Sequence, residues 1–257
     1  MELTFNKVTK SFGGLNVIKH FSTTIKTGEI VALVGPSGCG KSTLLHMIAG
    51  LQKPSTGSVT ANGKRLEKPS PERTLVFQEH ALYPWLTLAG NVALALEFQN
   101  TAKQAALKEA MKWLAKVQLS GFENYYPHQV SGGMRQRCAL ARAFIARPEV
   151  LLLDEPFGAL DALTRMTLQS VLKDLIAEER PTVVLVTHDV DEALYLADRV
   201  LVFSSRPATV LSEIELGHLP KTHDLSALVG IRRNVLNKLG IDTDTTPAHA
   251  GEIGETV

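Results

Sequence analysis

The chain has 257 residues, 44% of them hydrophobic, with 27 Lys and Arg against 26 Asp and Glu for a net charge of +1. That length makes one large domain or two small ones, and the charge balance gives no case for nucleic-acid or anionic-lipid binding by the chain as a whole. Cys39 and Cys138 are no disulfide framework and fit a reducing compartment, while a start without signal-peptide character and the lack of any apolar run near the roughly 18 residues of a span predict a soluble chain that meets a membrane only through a partner.

Leu3-Thr4-Phe5 alternates apolar and polar, Val8 continues the set, and Phe21 and Ile25 precede a turn at Lys26-Thr27-Gly28-Glu29. The opening stretch therefore reads as antiparallel β structure. Ile30 to Val34 is a buried strand, and Leu44 to Gly50 reads as a helix. Between them lies Gly35-Pro36-Ser37-Gly38-Cys39-Gly40-Lys41-Ser42-Thr43, which is Gly, four residues, then Gly-Lys-Ser/Thr in a strand–loop–helix setting: a phosphate-binding loop. Glycine lets the backbone turn sharply and approach phosphate, and the amides form an anion nest at a helix N-terminus. Lys41 reaches the β- and γ-phosphates of a nucleotide, and Ser42 is a Mg²⁺ ligand.

Ser58 to Ala61 reads as a strand ending in the hairpin turn Asn62-Gly63, and Thr74 to Phe77 as a buried strand with Gln78 at its end. From Thr101 to Val117 the pattern is helical, with Leu107, Met111, Leu114 and Val117 expected on one core-packing face. Pro127 closes this region, and Ser131-Gly132-Gly133 opens a helix running from Met134 to Ala146. Val150 to Leu153 is the next strand and ends in Asp154-Glu155. An amphipathic helix follows, burying Leu168, Val171, Leu172, Leu175 and Ile176. Thr182 to Val186 ends in Thr187-His188-Asp189, Val190 to Ala197 reads as helical, and Arg199 to Phe203 is a fifth strand. Apolar strands separated by helices imply a mostly parallel sheet covered on both faces. Ile231, Val235, Leu236 and Leu239 suggest one more helix ending at Gly240, and residues 241–257 read as a mobile tail.

Gln78, Asp154, Glu155 and His188 all follow strand C-termini, the edge where open α/β sheets bind ligands. An Asp ending an apolar strand holds Mg²⁺ directly or through water, and Glu155 beside it can polarise a water for attack on the γ-phosphate. Gln78 can contact Mg²⁺ and that water. His188 can hydrogen-bond the γ-phosphate or orient Glu155. Two readings fit Ser131-Gly132-Gly133: a second anion nest before a helix, or a plain loop capped by Ser131.

Val130-Ser131-Gly132-Gly133-Met134-Arg135-Gln136-Arg137 resembles the signature motif of ATP-binding cassette (ABC) proteins. Lys41, Gln78, Ser131, Asp154, Glu155, Asp161 and His188 occur in that family's order of Walker A, Q-loop, signature, Walker B, D-loop and H-loop. The similarity runs from Leu3 to about Phe203. It implies an α/β P-loop NTPase domain over residues 1–240, with a mostly parallel core sheet, an antiparallel β region and a helical subdomain at about 80–147. It also implies ATP and Mg²⁺ as ligands, and a head-to-tail dimer with a second copy or a paralogue. In that dimer Ser131, Gly132, Gly133 and Asp161 act in trans on a nucleotide held by the partner's Walker A loop. Phe12 matches the aromatic that stacks on adenine, although a buried core Phe remains the other reading.

Tyr83-Pro84-Trp85-Leu86-Thr87-Leu88, Pro156 to Arg165, Thr187 to Ala193 and Ser205-Arg206-Pro207 are similar to importer subunits for nitrate, sulfonates and taurine. This branch implies a peripheral ATP hydrolase on the cytoplasmic face of the inner membrane. It is coupled to a separate permease and, indirectly, to a solute-binding protein. Tyr83 and Trp85 are either permease contacts or local packing. Val130 and Met134 stand where the commonest signature has Leu and Gln, and Ala208 where the branch often has Gly. Cys39 is expected among phosphate-facing amides and to react with maleimide. The alternatives to transport are a soluble ABC ATPase and a nucleotide-dependent regulatory module.

Overall fold

The computed structural model describes residues 1–77, 81–158, 160–219 and 221–241. Gln78 and the tail beyond Ile241 therefore lie outside the described residues. Two sheets form the frame. The first is antiparallel, built from β1 (Leu3–Phe12), β2 (Leu15–Ile25), β4 (Thr56–Ala61) and β5 (Lys64–Arg65) in the order β2-β1-β4-β5. Asn62 and Gly63 both take positive φ in the turn between β4 and β5, as a tight hairpin requires.

The second sheet contains β3 (Ile30–Val34), β6 (Arg73–Val76), β7 (Val150–Asp154), β8 (Thr182–Thr187), β9 (Arg199–Phe203) and β10 (Val210–Glu215), ordered β10-β9-β3-β8-β7-β6. Five of these strands run parallel, and only the β10 edge is antiparallel. Period-two alternation splits each central strand between two cores. Val31 and Leu33 face the antiparallel sheet and the apolar side of α1 (Lys41–Ala49), where Leu44, Leu45, Met47 and Ile48 are buried. Ala32 and Val34 face the opposite core with α2 (Leu88–Glu97), α3 (Lys103–Lys116), α4 (Gly132–Ile145), α5 (Ala162–Glu179) and α6 (Val190–Leu196). Burial on both faces is why these strands read as unbroken apolar runs. α7 (Val229–Lys238) ends before Gly240 in the left-handed region, with Val235 buried.

The buried stripe of α3 is Ala106, Ala110, Trp113 and Leu114, continued by Val117. The expected stripe is thus rotated: Met111 is 52% exposed and Leu107 only half-buried. The two alanines let the helix pack closely while Trp113 stacks on Phe144 with ring centroids 6.1 Å apart, so the larger ring sets the inward face. Two elements escape the sequence pattern. β10 is an edge strand, exposed at most positions, so its alternation is weak. The helix α2 follows Thr87, whose Oγ1 accepts a hydrogen bond from the Gly90 amide at 3.1 Å as an N-cap.

Register places the chemistry. Val34 pairs with Thr187, Asp154 with Val186, and Val34 with Val202. The residues that follow β3, β7, β8 and β9 therefore emerge together at one sheet edge.

Candidate functional site

The Gly35–Gly40 loop leaves β3 and enters α1 at Lys41. Gly40 has φ 125°, and a Cβ there would stand 2.8 Å from Val17 Cγ1. Only glycine fits both the angle and the space. Its lack of a side chain also leaves the first turn of α1 without a side-chain cap, so its amides are free for an anion. Pro36, Ser37 and Gly38 are exposed, and Thr43 lines the adjoining cleft. Lys41 is 4% exposed. Its ammonium donates to the carbonyls of Gly35 at 2.7 Å and Pro36 at 2.9 Å. The loop thus holds its own cation at the nest.

Cys39 corrects an expectation. Its thiol is 1% exposed and packed into the core below the loop, and its amide donates to the Pro36 carbonyl at 3.3 Å. Its Sγ lies 3.9 Å from the Lys41 ammonium, so burial, rather than distance from the loop, is what denies maleimide ready access.

Ser42 Oγ donates to Asp154 Oδ1 at 2.9 Å. Burial, more than any other influence, pushes the Asp154 carboxyl up from its ordinary value, and the Ser42 hydrogen bond is the main opposing influence. A partly buried carboxylate beside a hydroxyl is a pair of hard oxygens. That suits Mg²⁺, which takes one or two protein oxygens and completes its shell with phosphates and water.

Glu155, one residue on, has φ 45°, an uncommon value for a residue with a side chain. Its amide donates to the Val186 carbonyl at 2.9 Å, and its Oε2 lies 3.1 Å from His188 Nδ1. Register alone brings these two together, from the ends of β7 and β8. Glu155, Lys41, Ser42 and Thr43 line a cleft of about 300 Å³ together with Phe12, Leu15 and Val17. Phe12 is 45% exposed, which decides against a core role. Lys10 Nζ sits 4.8 Å from its ring centroid. The cleft combines an aromatic ring with a phosphate nest and a carboxylate.

Among the described residues, Ser131, Gly132, Gly133 and Asp161 do not line this cleft. Ser131 caps α4, its Oγ accepting from the Met134 amide at 3.3 Å. Asp161 caps α5, its Oδ1 accepting from the Thr164 amide at 3.0 Å, which lowers its pKa. The two caps meet where a Cβ on Gly133 would stand 2.5 Å from Thr164 Cγ2. They make a second surface, separate from the cleft of the same chain.

Sequence reasoning left several groups unassigned. Arg165 donates from Nη1 to Asp189 Oδ2 at 2.9 Å and from Nη2 to the Leu160 carbonyl at 3.2 Å. It thereby ties the stretch before α5 to the turn carrying His188. Glu192 is buried beneath that turn and accepts from Thr187 Oγ1 at 3.2 Å. Nothing local marks it off from Asp191 beside it in the first turn of α6; only the tertiary packing buries one and leaves the other partly exposed. Arg206, in the turn after β9, also lines the cleft. Asn91 is fully buried and pairs with the Tyr83 amide at 2.7 Å and with the carbonyls of Tyr83, Leu86 and Thr87 at 3.1, 3.1 and 3.0 Å. It holds out a turn on which Trp85 is 70% exposed.

The ABC transporter family model matches residues 18–158. The chain is 42% identical over 243 residues to the aliphatic sulfonates import ATP-binding protein SsuB of Bacillus cereus (strain ZK / E33L), covering 93% of this chain and 96% of that one. It is 40% identical over 244 residues to SsuB of Bacillus licheniformis, covering 93% and 94%. Among solved structures, the dimeric bacterial ABC transporter cassette MJ0796 superposes with a TM-score of 0.74 at 34% identity, over 83% of this chain and 98% of that one. The post-hydrolysis state of the same cassette, bound to ADP and Pi, gives 0.73 at 34% identity with the same coverage.

Proposed function

The chain belongs to the ABC transporter ATPase family, and from that premise we propose that it is the ATP-hydrolysing subunit of an importer for a small solute of the sulfonate, nitrate or taurine type. The observation that carries this reading is the meeting of Lys41, the Ser42–Asp154 pair and the Glu155–His188 pair at one sheet edge, beside a cleft of about 300 Å³.

The nest and Lys41 hold the phosphates, and Phe12 offers a π face to adenine. Ser42 and Asp154 hold Mg²⁺, with Gln78 assigned to the same ion from its place in the sequence. When bound, that ion neutralises phosphate charge. Glu155 takes the proton of the attacking water as it adds to the γ-phosphorus, and His188 fixes the carboxylate's direction. The products are ADP and phosphate.

Ser131, Gly132, Gly133 and Asp161 serve the nucleotide of a second copy or a paralogue. Their separation from the cleft of their own chain supports this, as does the dimeric form of the related cassette. ATP then favours the closed dimer by its differential affinity for it, and hydrolysis releases that bias.

A separate permease is the further partner. A groove of about 400 Å³ bounded by Phe77, Tyr83, Phe98 and Arg142 lies beside exposed Trp85 and suits an apolar helix. Among the described residues no helix is long and apolar enough to cross a membrane, so attachment to the cytoplasmic face runs through that permease. A solute-binding protein acts through the permease. The relatives named for aliphatic sulfonates make sulfonates the first solutes to try.

The test is ATP-driven sulfonate uptake in vesicles carrying a sulfonate-importer permease reconstituted with this chain, with its binding protein supplied. Uptake and phosphate release that both disappear with Lys41→Ala support the reading. Phosphate release that is indifferent to permease, binding protein and solute overturns the importer role.

A further inference from the structure

We propose that Arg206 is a further nucleotide-binding residue, its guanidinium contacting the phosphates beyond the first in the chain of the bound nucleotide. The placement follows from the sheet. β9 lies beside β3 with Val202 opposite Val34, so the turn after Phe203 leaves the same edge as the phosphate loop. The two segments touch: a Cβ on Gly35 would stand 3.0 Å from Phe203 Cβ.

The turn is held firmly. Ser204 and Thr209 close it through an amide-to-carbonyl bond of 2.9 Å and a second bond from the Thr209 amide to Ser204 Oγ at 3.0 Å. The Ala208 amide donates to the Val17 carbonyl at 2.8 Å, and its carbonyl accepts from the Lys19 amide at 3.2 Å. Val17 is itself a wall of the cleft and the contact that forces Gly40 to be glycine. Arg206 is thus carried on the same rigid frame as the loop.

From that frame its Nη2 comes within 3.0 Å of where a Cβ on Gly38 would stand, and it lines the cleft together with Lys41, Ser42 and Glu155. It is exposed, and among the described residues no carboxylate or carbonyl accepts a hydrogen bond from it. A guanidinium without a partner, held against an anion nest, is matched to phosphate. Its planar fork donates two parallel hydrogen bonds to one phosphate group. Lys41 donates to the loop carbonyls of Gly35 and Pro36, and Arg206 adds a second positive charge to the cleft.

This rests on the assignment of the nucleotide to the Gly35–Thr43 loop, and the experiment separates the two. Equilibrium dissociation constants for ATP, ADP and AMP are measured on the full chain for wild type, Arg206→Ala and Lys41→Ala, with thermal unfolding as the check on folding. Arg206→Ala is expected to bind ATP and ADP roughly tenfold more weakly, the scale of a hydrogen bond to a charged group, with AMP changed less than about twofold and the melting temperature unmoved. Wild-type affinity for ATP in Arg206→Ala, with Lys41→Ala defective, overturns the role of Arg206 alone. Equal weakening of ATP, ADP and AMP also overturns it, since the residue then shapes the adenine end. Undiminished ATP binding by Lys41→Ala overturns the loop assignment and this proposal with it.

Discussion

Glu155 Oε2 and His188 Nδ1 lie 3.1 Å apart, from the ends of adjacent parallel strands, with Glu155 in the left-handed region. The register of β7 and β8 aims a carboxylate into the cleft, and an imidazole fixes its direction. A base must be held at hydrogen-bonding reach of the water it deprotonates. Glu155→Gln keeps the shape and loses the basicity. Phosphate release is expected to drop by about 10²–10⁴-fold, the usual contribution of such a base, with ATP binding retained. With ATP present the variant should run as a dimer in size-exclusion chromatography. Turnover at the wild-type rate sinks the assignment.

Phe12 is expected to supply adenine stacking, worth about 1–3 kcal/mol per base. Phe12→Ala should therefore weaken ATP binding by about five- to 150-fold, and Phe12→Trp should restore it. Because a π face discriminates little between bases, the ratio of ATP to GTP affinity should stay nearly constant. A titration in which Phe12→Ala binds ATP normally removes the residue from the site.

Gly133 packs where its missing Cβ would meet Thr164 Cγ2 at 2.5 Å. Gly133→Ala overpacks that contact, at a cost of about 1–3 kcal/mol. Thr164→Ser deletes the offending methyl, so the double variant should recover most of the loss in urea unfolding. Additive effects in that cycle, with no recovery, show that Thr164 is not the obstacle.

Glu192 sets a pH dependence. Its carboxyl is pushed up to about 8, first by burial and then by the Asp189 carboxylate, with the Thr187 hydrogen bond and Arg165 opposing and Glu155 adding to the rise. An unfolded glutamate titrates near ~4.3, so between these values the folded chain holds a proton that the unfolded chain has lost. This group's contribution to stability is full below ~4.3 and is lost as pH rises through about 8. Glu192→Gln has no such proton to lose. The melting temperature of the variant minus that of wild type should therefore increase from about pH 5 to about pH 8.5. A constant difference shows that Glu192 is already ionised in the fold.

Trp85 is presented to solvent on the turn that Asn91 holds. Trp85→Ala should cost little stability, since exposed substitutions usually change it by less than about 0.5 kcal/mol. Recovery of the chain with permease-containing membranes should nevertheless fall severalfold. Undiminished recovery assigns Trp85 to local packing.

Much of this molecule could be read along the chain because its decisive features are local. A phosphate nest is made by consecutive amides, and a strand that ends in an acid carries its own apolar run. The antiparallel start follows from period-two alternation, the five parallel strands from unbroken apolar runs separated by helices, and the helix that buries Leu168, Val171, Leu172, Leu175 and Ile176 from a period of 3.6. What local pattern leaves open is direction and register. Met111 and Leu107 fit a helical stripe as well as Ala106 and Ala110 do, until Trp113 packs on Phe144. Cys39 sits within a phosphate loop, yet its side chain turns into the core. The pairing of Glu155 with His188, the tie from Arg165 to Asp189 and the approach of Arg206 to Gly38 join residues far apart in the chain. Only strand register and the packing of the sheet edge set those distances, because both arise from the whole buried core rather than from any one segment.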